Sequence, residues 1–89
     1  GITGFLRAAT LAEARSLQIS AHCAPALHLH VACATPNFRH MEYFHDHVRI
    51  EHMFFDGVQS PQQARLLPDI TRPGMGLDFK RSVAEHYAV

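Results

Sequence analysis

Ser20-Ala21-His22 and Met41-Glu42-Tyr43 belong to two short apolar segments separated by Cys23 to Asn37, a linker that reads as helix. Parallel neighbouring strands need a crossover of a dozen or more residues, usually a helix, and this linker has that size. If both segments are parallel strands, His22 and Glu42 emerge side by side at one end of a sheet, where the active sites of such sheets lie. Adjacent strands run roughly 4.8 Å apart, so side chains at matching ends can face one substrate. A histidine and a carboxylate so placed are candidates for proton transfer. The plainer alternative is a core histidine hydrogen-bonded to its neighbour.

The flanking sequence fits this frame. Thr3 is a candidate N-cap, and Phe5 to Ser16 is rich in helix formers. Ile2, Phe5, Leu6, Ala9 and Ala12 recur at helical spacing and define a face that must pack on something. Leu17 to His22 loses that period and reads as a buried strand. Pro25 suits the first turn of the next helix, whose face would carry Leu27, Val31 and Ala34 and which ends before Pro36. Phe38 to Phe44 is the second strand, with His40, Glu42 and Phe44 pointing one way and Met41 and Tyr43 the other. Helix, strand, helix, strand is the order of a parallel α/β sheet.

Beyond Phe44 the alternation stops. His45 to His52 reads as a polar loop, with Arg49 and Glu51 a possible surface ion pair worth under about 1 kcal/mol. Met53 to Phe55 reads as a short strand and Asp56-Gly57 as a turn. Pro61, Pro68, Pro73, Gly74 and Gly76 punctuate an extended tail, and Arg81 to Tyr87 is a last short helix. Two parallel strands leave edges open and apolar faces uncovered, so the chain should not be a self-sufficient fold.

Composition narrows the function classes. The 89 residues suit one small domain or a piece of a larger one, and 47% hydrophobic with 18% charged residues is too apolar for disorder. Eight basic residues balance eight acidic ones with no basic block, which argues against nucleic acid and anionic membranes as partners. No apolar run approaches a membrane span and no signal peptide is evident, so a cytoplasmic protein is expected. Cys23 and Cys33 lack CxxC spacing and are expected to be free, buried thiols.

Gly1-Ile2-Thr3-Gly4-Phe5-Leu6, Ser20-Ala21-His22, Glu42 and Pro73-Gly74-Met75-Gly76-Leu77, in this order and spacing, resemble the C-terminal portion of the enolase superfamily in its mandelate racemase and muconate lactonizing enzyme branch. The resemblance implies the last β/α units of a modified TIM barrel, (β/α)7β, and a capping domain built from both chain ends. Residues 1–60 would then be barrel, from the sixth helix to the loop after the eighth strand, and residues 61–89 a tail returning to the cap. Members of this superfamily abstract a proton beside a carboxylate and stabilise the enediolate on Mg²⁺. His22 would be the general base or acid. Glu42 would be a protonated glutamate hydrogen-bonding the substrate carboxylate, in a locally apolar site.

The same resemblance places the lysine motif, the three carboxylate metal ligands and the aspartate partner of the histidine before Gly1, so no Mg²⁺ ligand is expected here. It implies a small hydroxy-carboxylate substrate, a missing N-terminal part or second chain as partner, and a homo-oligomer. An acid-sugar dehydratase is favoured over a racemase; the other class is a non-catalytic fragment or a histidine-rich metal-binding module.

Eight histidines invite that last reading. His45 and His47, or His28 and His30, have HxH spacing, but on a helix such rings diverge by about 200°. His45 and His47 follow the second strand on its catalytic side and are weak candidates to line a substrate pocket, against the simpler reading of a solvated loop. A Cys23/His22 nucleophile is discounted, because adjacent strand residues point to opposite faces.

Overall fold

A computed structural model describes residues 1–89. Eight elements follow in order: α1 (Ile2–Glu13), β1 (Ile19–Ala21), α2 (Pro25–Cys33), β2 (Phe38–Met41), α3 (His45–Phe54), β3 (Phe55–Asp56), β4 (Asp78–Phe79) and α4 (Arg81–Glu85). β1 and β2 pair in parallel across α2, with Ile19 opposite Phe38 and Ala21 opposite Met41. Two residues of advance on β1 meet three on β2, so the ladder carries a bulge. Ile19 N–H donates to Asn37 O and Glu42 N–H to Ala21 O, at 3.0 and 3.1 Å, which extends the pairing to the foot of Glu42.

The helices pack behind these strands. Pro25 stands in the first turn of α2, as its missing N–H allows, and it is the most deeply buried large side chain. Ala26, Leu29, Val31 and Ala32 are buried with it, whereas Leu27 and Ala34 face outward, so the inward face of α2 is not the one the spacing of Leu27, Val31 and Ala34 predicts. On α1 only Ala9 is fully buried, and Ile2 and Leu6 are exposed. Phe5 bridges α1 to the sheet layer, its ring 5.6 Å from His28 and 6.3 Å from Phe38. Thr3 does not cap α1; it lies inside a helix that starts after Gly1. Asn37 ties the pieces together, its amide donating to Ala9 O at 2.9 Å and Leu17 O at 3.0 Å.

The polar loop expected over His45 to His52 is the helix α3. Its inward position is occupied by Glu51, which is buried and accepts the Ala26 N–H at 3.2 Å on each oxygen rather than pairing with Arg49. A carboxylate thus satisfies an orphan donor at the start of α2. Met53 and Phe54 continue α3, and the expected strand shrinks to Phe55–Asp56, antiparallel to Asp78–Phe79. Arg72 pairs with Asp78, and Lys80 Nζ sits 3.5 Å from Asp56 and donates to His52 O. The tail therefore folds back instead of extending, and α4 closes it by setting Tyr87 edge-on to Phe54 at 5.5 Å.

The core is thin for the chain length. Eleven of 89 residues are buried, and the radius of gyration of 14.4 Å exceeds the roughly 12 Å of a compact domain of this size. Leu11, Leu17, Leu67 and Ile70 stand largely in solvent. No helix is long and apolar enough to cross a membrane.

Candidate functional site

His22 and Glu42 follow directly on the ends of β1 and β2, and the parallel pairing brings them together. Nε2 of His22 lies 3.6 Å from Oε2 of Glu42. Both line a shallow cavity of about 280 Å³ with Ser20, Ala21 and His40. Ser20 Oγ is 3.4 Å from His40 Nδ1, so two further polar side chains, two residues back along each strand, share the cavity. The common side of His40 and Glu42 agrees with strand alternation.

Cys23 is the residue that sequence reasoning discounted and the structure brings in. Strand alternation does not extend to it, because the backbone turns left-handed at Cys23 (φ +54°) and Ala24 (φ +42°) before entering α2. That turn swings Sγ to within 3.5 Å of His22 Nε2 and 3.2 Å of Glu42 Oε2. Cys23 N–H also donates to the same carboxylate oxygen at 3.0 Å. Cys23 is buried and Cys33 is exposed, so only one of the two expected buried thiols is buried. Pro25 marks the start of α2, but its bias on the preceding residue is toward extended backbone, so the sequence carried no signal for the left-handed turn at Cys23 and Ala24.

These contacts decide the charge of the site. The Cys23 thiol and then its backbone N–H, both donating to Glu42, hold that carboxyl below its ordinary value, with smaller help from His22 and His47. Burial above all, and then the adjacent carboxylate, pushes the thiol up. The direction of that shift favours the ionised carboxyl; the side chain is 45% exposed and its neighbours Tyr43 and Phe44 are turned to solvent, so these residues do not by themselves form the locally apolar surroundings expected for it.

His45 and His47 do not line the cavity. As members of α3 they diverge: His45 Nδ1 meets Asp46 at 3.2 Å, while His47 packs edge-on against Phe44 with ring centres 5.7 Å apart. A divalent Mg²⁺ takes a near-octahedral shell of oxygens. One carboxylate, one imidazole and one thiol do not fit it, so these residues do not hold Mg²⁺.

The model of the family described as enolase C-terminal domain-like matches residues 1–83. Among solved structures, the chain is similar to a mandelate racemase/muconate lactonizing enzyme-like protein from Rubrobacter xylanophilus, with 48% identity and a TM-score of 0.94. The match covers 100% of this chain and 25% of that one, so the chain spans a quarter of the length of the protein it resembles. No curated protein matches it.

Proposed function

The chain belongs to the enolase C-terminal domain-like family, and from that premise we propose that it supplies one catalytic wall of an enzyme that removes the α-proton of a hydroxy-carboxylate. Residues 1–60 would be the closing units of a TIM-type barrel and residues 61–89 the segment that returns toward a cap. The exposed Leu11, Leu17, Leu67 and Ile70 and the thin core support a larger body around it. Mg²⁺, which members of the superfamily typically use, would be held by residues elsewhere in that body and would supply charge stabilisation of the substrate carboxylate.

The observation that carries the reading is the 3.6 Å approach of His22 and Glu42 on one cavity at the ends of parallel strands. His22 takes the α-proton on Nε2, and the electron pair of the broken C–H bond moves into the substrate carboxylate. In an acid-sugar dehydration the pair returns to expel the β-hydroxyl, which leaves as water with the proton His22 has just received. An arriving substrate carboxylate raises the pKa of Glu42, so binding draws a proton onto it and weakens as pH rises.

The test is His22→Asn in the full-length protein, assayed on a panel of acid sugars in deuterium oxide. Turnover should fall by about 100-fold or more with circular dichroism unchanged. Loss of water from the substrate assigns dehydration, deuterium at the α-carbon without loss of water assigns racemisation, and wild-type turnover in the variant overturns the reading.

A further inference from the structure

We propose that His22, Cys23 and Glu42 form a three-donor site for a thiophilic divalent cation of the zinc class. The three donor atoms lie within 4.8 Å of one another, with Sγ–Nε2 3.5 Å, Sγ–Oε2 3.2 Å and Nε2–Oε2 3.6 Å. Zinc bonds of about 2.3 Å to sulfur and about 2.0–2.2 Å to nitrogen and oxygen, at tetrahedral angles, set donors about 3.4–3.6 Å apart. The side chains therefore already stand near three corners of a tetrahedron, and the closest pair needs to part by only a few tenths of an ångström.

The donor chemistry agrees with the geometry. A thiolate with an imidazole and a carboxylate selects a borderline-soft ion over Mg²⁺ or Ca²⁺. On binding, the Sγ–H bond of Cys23 breaks, its proton passes to solvent, and the sulfur lone pair forms the bond to the ion. Glu42 exchanges its hydrogen bond from that thiol for the metal and keeps the one from Cys23 N–H, which continues to orient the carboxylate. The double positive charge meets one thiolate and one carboxylate, so the occupied site is neutral. His22 is 88% exposed, which leaves the fourth corner open to water or a substrate oxygen. An ion seated here occupies the lone pair that His22 would use as a base, so this cation inhibits where Mg²⁺ does not.

The test is a Co²⁺ titration of the full-length protein, read by the thiolate-to-cobalt charge-transfer band. The band should saturate with one ion at this site, yield to Zn²⁺ and not to excess Mg²⁺, and survive Cys33→Ser. It should vanish in Cys23→Ser, and His22→Asn and Glu42→Gln should each weaken binding by about 10-fold or more. Absence of the band, its survival in Cys23→Ser, its loss in Cys33→Ser, or unchanged affinity in the His22 and Glu42 variants would each overturn the site. None of these readouts is turnover, so they stand or fall apart from the proton-transfer reading.

Discussion

Cys23 donates twice to one oxygen of Glu42, through its backbone N–H at 3.0 Å and its thiol at 3.2 Å. Charged acceptors strengthen such bonds, and both favour the ionised carboxyl. Replacing Cys23 by Ala removes the thiol donor and keeps the backbone one. The Glu42 carboxyl carbon, followed by NMR, should then titrate at higher pH than in the unmutated protein, though still below an ordinary glutamate. Because the folded pKa lies below the unfolded one, the stabilisation from Glu42 is present above the unfolded value and lost as pH falls through the folded value. Glu42→Gln should flatten that part of the acid denaturation curve. An unmoved titration in Cys23→Ala would contradict the double donation.

Glu51 has the opposite sign. Burial pushes its carboxyl up, against the Ala26 N–H and the nearby histidines. With the folded pKa above the unfolded one, its contribution is full below the unfolded value and is lost as pH rises through the folded value. Glu51→Gln keeps an acceptor for Ala26 N–H without the buried charge. Its urea midpoint should match the unmutated protein in acid and exceed it above neutrality. Glu51→Leu leaves that N–H unpaired and should cost about 1–3 kcal/mol in acid, and less above neutrality, where it also removes the buried charge.

Asn37 joins α1 to the strand that follows it through two amide donations. Asn37→Ala should lower the unfolding free energy by about 1–3 kcal/mol. Asn37→Asp should be worse at neutral pH and improve in acid, because an ionised carboxylate faces the oxygens of Ala9 and Leu17 with nothing to donate. Equal stability of the two variants across pH would exclude this account.

Gly57 holds φ +88°, and a Cβ there would collide with the backbone oxygen of Gly76. Gly57→Ala must displace backbone and should part β3 from β4, seen as faster amide exchange at Lys80, whose N–H donates to Phe54 O. Gly74 also has positive φ, at +62°, but open space around it. Gly74→Ala should therefore cost about 1 kcal/mol without local opening.

The β1–α2–β2 unit was readable because Pro25 and two apolar segments mark it and because the linker length admits few alternatives. Residues 45–54 were not, since the segment is polar overall and its one buried position carries Glu51 in place of an apolar residue. A segment without Gly or Pro and with Asp46 in its first turn was the remaining helical signal. At the site, His22 and Glu42 followed from strand register. Cys23 did not, because its position depends on a left-handed turn that strand periodicity cannot express.

That turn carries a consequence for thermal tolerance. Two successive L-residues in the left-handed region, Cys23 and Ala24, each disfavour the folded chain by about 1–2 kcal/mol. Glycine at Ala24 would relieve part of this and loosen the aim of the sulfur, and glycine at Cys23 would relieve more and delete it. Heat resistance and the poise of the reactive groups are thus set against each other in one dipeptide, and gains in the first made there are drawn from the second.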